Sequence, residues 1–284
     1  MDIKTLLDRF EILYPYNTSL SDLRRAYIDK DLSSIFRIIT DQNKDDIRKV
    51  VMEHNEWSMY KLLSQYFDTS FVQTFKRFLS ENISIDEDCF SRGQLQSKKW
   101  LVDELKKIDG RTDDLKLGTV FLCAGWYGTL ATMLFENDFD IEKIRSFDID
   151  ENCWRIAETF NKPWVMKDWQ FKASTQDIFD IDYDTHYYTV QKSKGVETSR
   201  LSDSPNTIIN TSCEHIENFA EWYAKIPQGK LVILQTNNYF DLPEHVNCSD
   251  SLNTFANSTP ITNVLYQGEL ALEKYSRYMR IGYK

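Results

Sequence analysis

The sequence predicts an α/β fold: a mostly parallel sheet with helices on both faces, preceded by an all-helical N-terminal region. Three observations lead there. From residue 119 onward, short apolar runs alternate with amphipathic segments at strand and helix lengths. The first of these runs turns through Gly125 and Gly128 into the helical pattern Thr129 to Phe135. The chain closes on two strand-like runs, Ile261–Leu270 and Tyr275–Tyr283, joined by a short Ala-Leu-Glu-Lys connection, which read as an antiparallel hairpin.

Taken in order, residues 1 to 110 read as a helical domain and 111 to 284 as the sheet domain. In the first, Leu6, Leu7 and Phe10 share a helical face, and Ile35, Ile38 and Ile39 recur at helical spacing. Val50, Val51, Trp57, Tyr60, Leu62 and Leu63 do the same through the middle. Phe71 to Phe78 adds an amphipathic segment, and Lys98 to Ile108 a last helix entering the core. In the second domain the strand candidates are Thr119–Cys123, Ile144–Asp148, Trp169–Ala173, Thr207–Asn210 and Lys230–Gln235. The helices between them are Gly128–Glu136, Glu151–Phe160 and Glu214–Ile226. With the hairpin this makes a seven-stranded sheet.

Charge and composition narrow the partners. The net charge is −10, divided as −2 before residue 110 and −8 after it. The sheet half is the more acidic, which disfavours nucleic acid, since phosphate binding rests on clustered cations. No run approaches the roughly 20 apolar residues of a membrane span, so no membrane partner is expected. The opening Met1 to Asp8 lacks the basic and apolar regions of a signal peptide. Five scattered cysteines (Cys89, Cys123, Cys153, Cys213, Cys248) without metal spacing suit a reducing cytoplasm.

A strand, a glycine turn and a helix in that order make a nucleotide-binding corner: glycines let the backbone approach a ligand, and the helix start offers unpaired N–H groups. Asp148 follows Gly128 by 20 residues at the end of an apolar run. An acid there accepts hydrogen bonds from ribose hydroxyls; its alternative role is a turn acid. Asp150 is placed to cap the helix at Glu151.

These residues resemble the class I S-adenosylmethionine-dependent methyltransferases, a Rossmann-like family, over about residues 119 to 284. Cys123-Ala124-Gly125-Trp126-Tyr127-Gly128 is similar to the first motif, and Phe147-Asp148-Ile149-Asp150 to the second. Thr175-Gln176-Asp177-Ile178 resembles the third, and Asn210-Thr211-Ser212-Cys213-Glu214-His215 the end of the fourth strand, with the Glu-His opening common among small-molecule members. The resemblance implies S-adenosyl-L-methionine as cofactor, with Cys123, Ala124, Gly125, Tyr127 and Gly128 at its methionine end. It further implies Asp148 on ribose, Ile149 against the adenine face, Asp177 at the adenine amino group, and Ile178, Asn210 and Thr211 among the cofactor-binding residues. Two departures stand out. Phe121 occupies the place where the family often has an acid, and Cys123 the place of the first glycine. Arg92 or Lys98, upstream, are candidate replacements at the cofactor's carboxylate; the alternative is a capped helix with a solvated basic face.

The implied reaction is methyl transfer to a small molecule or a protein side chain, a displacement that needs positioning and, for some acceptors, a base. His215 is the candidate for that base, taking a proton from an oxygen or nitrogen acceptor; otherwise it hydrogen-bonds backbone in a first helical turn. Glu214 is divided between a substrate contact and a charge at a helix N-terminus. Trp126, Tyr187, Asn237 and Tyr239 are the substrate-contact candidates. They lie in the corner, in the long 179–205 connection and in the insert after the fifth strand; Trp126 and Tyr127 could equally pack under the N-terminal helices. The Glu-His pair binds metal in some quinone-pathway relatives, but Thr211 stands at the third ligand position and no metal is expected. The alternatives are another adenosylmethionine-using enzyme (a lyase, decarboxylating enzyme or aminopropyl transferase) or a non-catalytic binding module.

Overall fold

A computed structural model describes residues 63–80, 85–112, 115–191 and 198–284. The helical readings before residue 63 lie outside them. The chain divides into two compact units, Met1–Gln65 and Tyr66–Lys284. The second unit includes the helical segments between residues 69 and 112, whose Phe71, Phe75, Leu101 and Leu105 are buried.

Numbered over the described residues, that unit runs α1 (Thr69–Ser80), α2 (Arg92–Thr112), β1 (Lys116–Cys123), α3 (Thr129–Glu136), β2 (Asp140–Asp148), α4 (Cys153–Phe160) and α5 (Lys162–Met166). It continues with β3 (Phe171–Thr175), β4 (His186–Gln191), β5 (Thr198–Asp203), β6 (Thr207–Asn210), α6 (Phe219–Lys225), β7 (Leu231–Asn237), α7 (Leu252–Ser258), β8 (Asn263–Ala271) and β9 (Ser276–Tyr283). Seven strands form one sheet in the order β3-β2-β1-β6-β7-β9-β8. The pairs from β3 to β7 are parallel, while β9 runs antiparallel to both β7 and β8. This is the Rossmann-like sheet with a terminal antiparallel hairpin that the alternation predicts. Its middle strands β6 and β7 are buried along their whole length, and β7 opens on the continuous apolar run Leu231–Leu234.

One face of the sheet packs Phe121, Phe147, Tyr183, Phe219 and Trp222 into an aromatic core. Away from it, Phe71 stacks on Phe160 at 4.4 Å and meets Phe90 edge-on, fixing α1 against α4. Helix α2 is tied to the sheet by buried polar contacts. The Gln235 amide donates to the Ser97 carbonyl at 3.1 Å, and Trp100 Nε1 donates to the Tyr266 hydroxyl at 3.2 Å.

Two elements depart from the sequence reading. The 179–205 connection is not an open loop: β4 and β5 pair as an antiparallel hairpin. Asp203 anchors it to β2 by accepting from Arg145 Nε at 2.6 Å, from Lys143 Nζ at 3.1 Å and from the Tyr188 hydroxyl. The expected helix Glu214–Ile226 is broken into a single 3-10 turn, Cys213–His215, and the shorter α6. Among the described residues no helix is long and apolar enough to cross a membrane.

Candidate functional site

The corner after β1 is built by close approach to β2. The Gly125 N–H donates to the Phe147 carbonyl at 3.0 Å, and a β-carbon at Gly125 would lie 2.1 Å from Ser146 Oγ. Only glycine fits there. Gly128 takes φ +66° and would meet Asn161 Nδ2 at 2.8 Å. The other left-handed residues of the turn are Ala124 (φ 51°) and Trp126 (φ 47°). The turn thus carries left-handed backbone at 124, 126 and 128, only the last of them a glycine. An L-residue in this conformation costs about 1–2 kcal/mol, strain held by the Trp126 N–H donating to Asp148 Oδ2 at 2.8 Å.

A cavity of about 1130 Å³ opens at the C-terminal ends of the parallel strands, where open α/β sheets bind ligands. Of the expected site residues, Ala124, Trp126, Asp148, Ile149, Asp177, Ile178, Glu214, His215, Asn237 and Tyr239 line it. The other seven do not. Cys123 is fully buried beneath Tyr183, with Sγ 3.5 Å from its hydroxyl, and burial pushes the thiol up to about 12. Gly125 and Gly128 shape the turn from behind. Tyr127 is buried and its hydroxyl accepts the Asp86 N–H at 3.3 Å, the packing role. Asn210 and Thr211 are buried, and the neighbouring Ser212 reaches the cavity instead. Tyr187 sits on the hairpin, half exposed under the Arg200 guanidinium at 4.3 Å, away from the cavity.

At the end of β2 the Asp148 carboxylate accepts from Trp126 and, at 3.1 Å, from the Asp150 N–H. Burial raises it above the ordinary aspartate value, and these N–H groups offset part of that rise. Beside it, Ile149 holds an apolar side chain 74% exposed on the cavity wall. Asp177 accepts the Phe179 N–H at 2.9 Å, ordering the next wall. Upstream, Arg92 lines the cavity, whereas Lys98 turns inward and donates to Gln94 Oε1 at 2.7 Å.

Glu214 is 1% exposed. Its Oε1 accepts from Arg277 Nη2 at 2.6 Å and from Asn237 Nδ2 at 2.7 Å. Arg277, also buried, donates on to Ser97 Oγ and the Thr211 carbonyl. The carboxylate thus lies in a buried ion pair, not at a helix N-terminus as one sequence reading held. The segment after β7 folds back over it: the Asn247 N–H donates to the Glu214 carbonyl at 2.8 Å, and Asn247 Nδ2 to the Cys213 carbonyl. That fold-back brings His245 beside His215, with ring centroids 4.7 Å apart. Sequence reasoning placed His245 only within the insert after the fifth strand and did not single out Gln94, Ser212 or Tyr275, all of which line the cavity.

Electrostatically the cavity is acidic. Nine lining side chains are carboxylates and three, Arg92, Lys274 and Arg277, are cationic. Such walls favour a cationic ligand and repel a dinucleotide pyrophosphate.

No family model and no curated protein matches the chain. Among solved structures, magnesium protoporphyrin IX methyltransferase ChlM from Synechocystis PCC 6803, crystallised with bound SAM, is 12% identical with a TM-score of 0.45, covering 78% of this chain and 96% of its own. A putative sarcosine dimethylglycine methyltransferase from Galdieria sulphuraria is 9% identical at 0.47, covering 69% and 88%. The N-methyltransferase NodS from Bradyrhizobium japonicum WM9 is 8% identical at 0.45, covering 66% and 96%. The strand order and closing hairpin define the class by themselves: a Rossmann-like fold of the class I methyltransferase type.

Proposed function

We propose that the chain is an S-adenosylmethionine-dependent methyltransferase acting on a small molecule. The observation that carries the reading is the end of β2, where the Asp148 carboxylate and the bare Ile149 side chain stand together on the cavity wall. A nucleoside fits that pair: ribose hydroxyls donate to the carboxylate, and the isoleucine covers a base face that water would otherwise leave uncovered. The acidic lining supports a cofactor that carries a sulfonium and an ammonium against one carboxylate, and Arg92 is the cation available to that carboxylate. Held by Asp148, Ile149 and Arg92, the cofactor would supply an electrophilic methyl group on its sulfonium.

The chain's own residues then position and deprotonate. Trp126 and Tyr239 wall the space next to the corner, and Tyr239 is held by stacking on Tyr275 at 5.4 Å. His215 Nδ1 lies 3.2 Å from the Glu244 carbonyl. A carbonyl only accepts, so Nδ1 carries the proton and Nε2 is left as the proton acceptor. A neutral or cationic acceptor of modest size suits a cavity of this volume and charge better than a polyanion.

Calorimetry with adenosylmethionine, adenosylhomocysteine and NAD tests the reading. Binding of the first two and not the third is expected, with Asp148→Ala weakening both by roughly 1–3 kcal/mol, the scale of a hydrogen bond to a charged group. Binding of NAD alone, or of none at millimolar concentration, would refute it.

A further inference from the structure

Glu214, His215 and His245 each present one ligand atom within 4.8 Å of the other two. We propose that these three side chains form a binding site for a divalent transition-metal ion. The sequence reading expected no metal because Thr211 stood at the third ligand position. In the fold Thr211 is buried and its carbonyl serves Arg277, and the third donor comes from the loop after β7.

Each ligand is already prepared. His245 Nδ1 donates to the Tyr239 carbonyl at 2.6 Å, and His215 Nδ1 to the Glu244 carbonyl. Both rings are therefore held as the tautomer whose Nε2 lone pair is free, the outer-sphere arrangement that orients metal-binding histidines. Glu214 spends Oε1 on Arg277 and Asn237, while the buried Oε2 has no hydrogen-bond partner among the described residues. An acceptor kept out of water with its lone pairs unmet carries a desolvation cost that a cation would relieve. All three residues line the cavity, so the remaining coordination positions open into it.

The donor set selects the ion. Arg277 cancels the Glu214 charge, so attraction to the bare charge of a cation is weak, and most of the binding must come from the imidazoles. That favours an ion that takes nitrogen ligands, such as Zn²⁺, Fe²⁺ or Co²⁺, over Mg²⁺ or Ca²⁺, which take oxygen. Tetrahedral ligation at about 2.0–2.1 Å sets donors roughly 3.4 Å apart, inside the 4.8 Å within which the three ligand atoms lie. The ion would take the His215 Nε2 lone pair, so proton acceptance by His215 belongs to the metal-free chain. The site's place beside a methyl donor rests on the proposed function; ion binding itself does not.

The test is titration of the full chain, dialysed against EDTA, with Co²⁺ followed by its visible d–d absorption. One ion per chain is expected, and a tenfold excess of Mg²⁺ should not displace it. His215→Ala, His245→Ala and the milder His245→Gln should each weaken binding at least tenfold while far-UV circular dichroism stays unchanged. His54→Ala, outside the described residues, should leave it unaltered. No binding at millimolar Co²⁺, ready displacement by Mg²⁺, or weakening in only one of the two histidine positions would overturn the site. Asp148→Ala separates the two proposals: it should lower adenosylmethionine affinity and leave Co²⁺ binding intact.

Discussion

Replacing Glu214 by glutamine removes one charge from an ion pair whose side chains are 1% and 2% exposed. The N···O distance is 2.6 Å, which at an effective dielectric of about 20 corresponds to a gross attraction of about 6 kcal/mol. Desolvation of both groups offsets much of that, so the pair's net contribution is small. Breaking it is another matter, because Arg277 then stays buried without a counter-charge, at a cost of about 3–5 kcal/mol. For a unit of 219 residues, Tyr66 to Lys284, each kcal/mol shifts the midpoint by about 2–4 °C, giving a loss of about 6–20 °C. Arg277→Met should cost a similar amount, and the double variant Glu214→Gln/Arg277→Met should recover most of it. Guanidinium and thermal melts of the full chain in EDTA read the cycle without metal. A cost under about 1 kcal/mol for Glu214→Gln, or strictly additive single changes, would refute the view that this carboxylate is held first as a structural partner of Arg277.

Two further outcomes follow from the geometry. Gly125→Ala drives a β-carbon toward Ser146 Oγ and Leu122, so it should destabilise by about 1–3 kcal/mol, and adding Ser146→Ala should restore part of the loss; a neutral Gly125→Ala would mean the corner yields. Lys98 is lowered to about 8, first by burial and then by Arg277. Between about 8 and 10.5 the unfolded chain then binds more protons than the folded one, so stability rises with pH through that window and the full penalty applies below it. Lys98→Met should accordingly stabilise by roughly 1–3 kcal/mol at pH 7, after allowing for the lost bond to Gln94. That gain should shrink at pH 9.5; an equal gain in melts at both pH values would remove Lys98 as its source.

By itself the sequence determined the sheet. Alternation of strand and helix periods, the glycine corner and the terminal hairpin sufficed to place all seven strands and to set Asp148 and Ile149 at the end of β2, because period and turn chemistry are local. The chemistry at the cavity was legible only in part. Ala124 and Trp126 adopt a conformation that L-residues ordinarily avoid, so no residue type announced the turn's backbone course. Glu214 reads as a helix-start acid until β9 supplies Arg277 from 63 residues away. His245 is one histidine in an irregular loop, and only the hydrogen bonds of Asn247 to the 213–214 backbone carry it beside His215. The hairpin of β4 and β5 is fixed by Asp203 reaching Arg145, again a distant partner. Local patterns record which way the backbone goes; they carry no record of which polar groups will be buried together. That pairing of charges and lone pairs away from water is decided only when the tertiary structure closes.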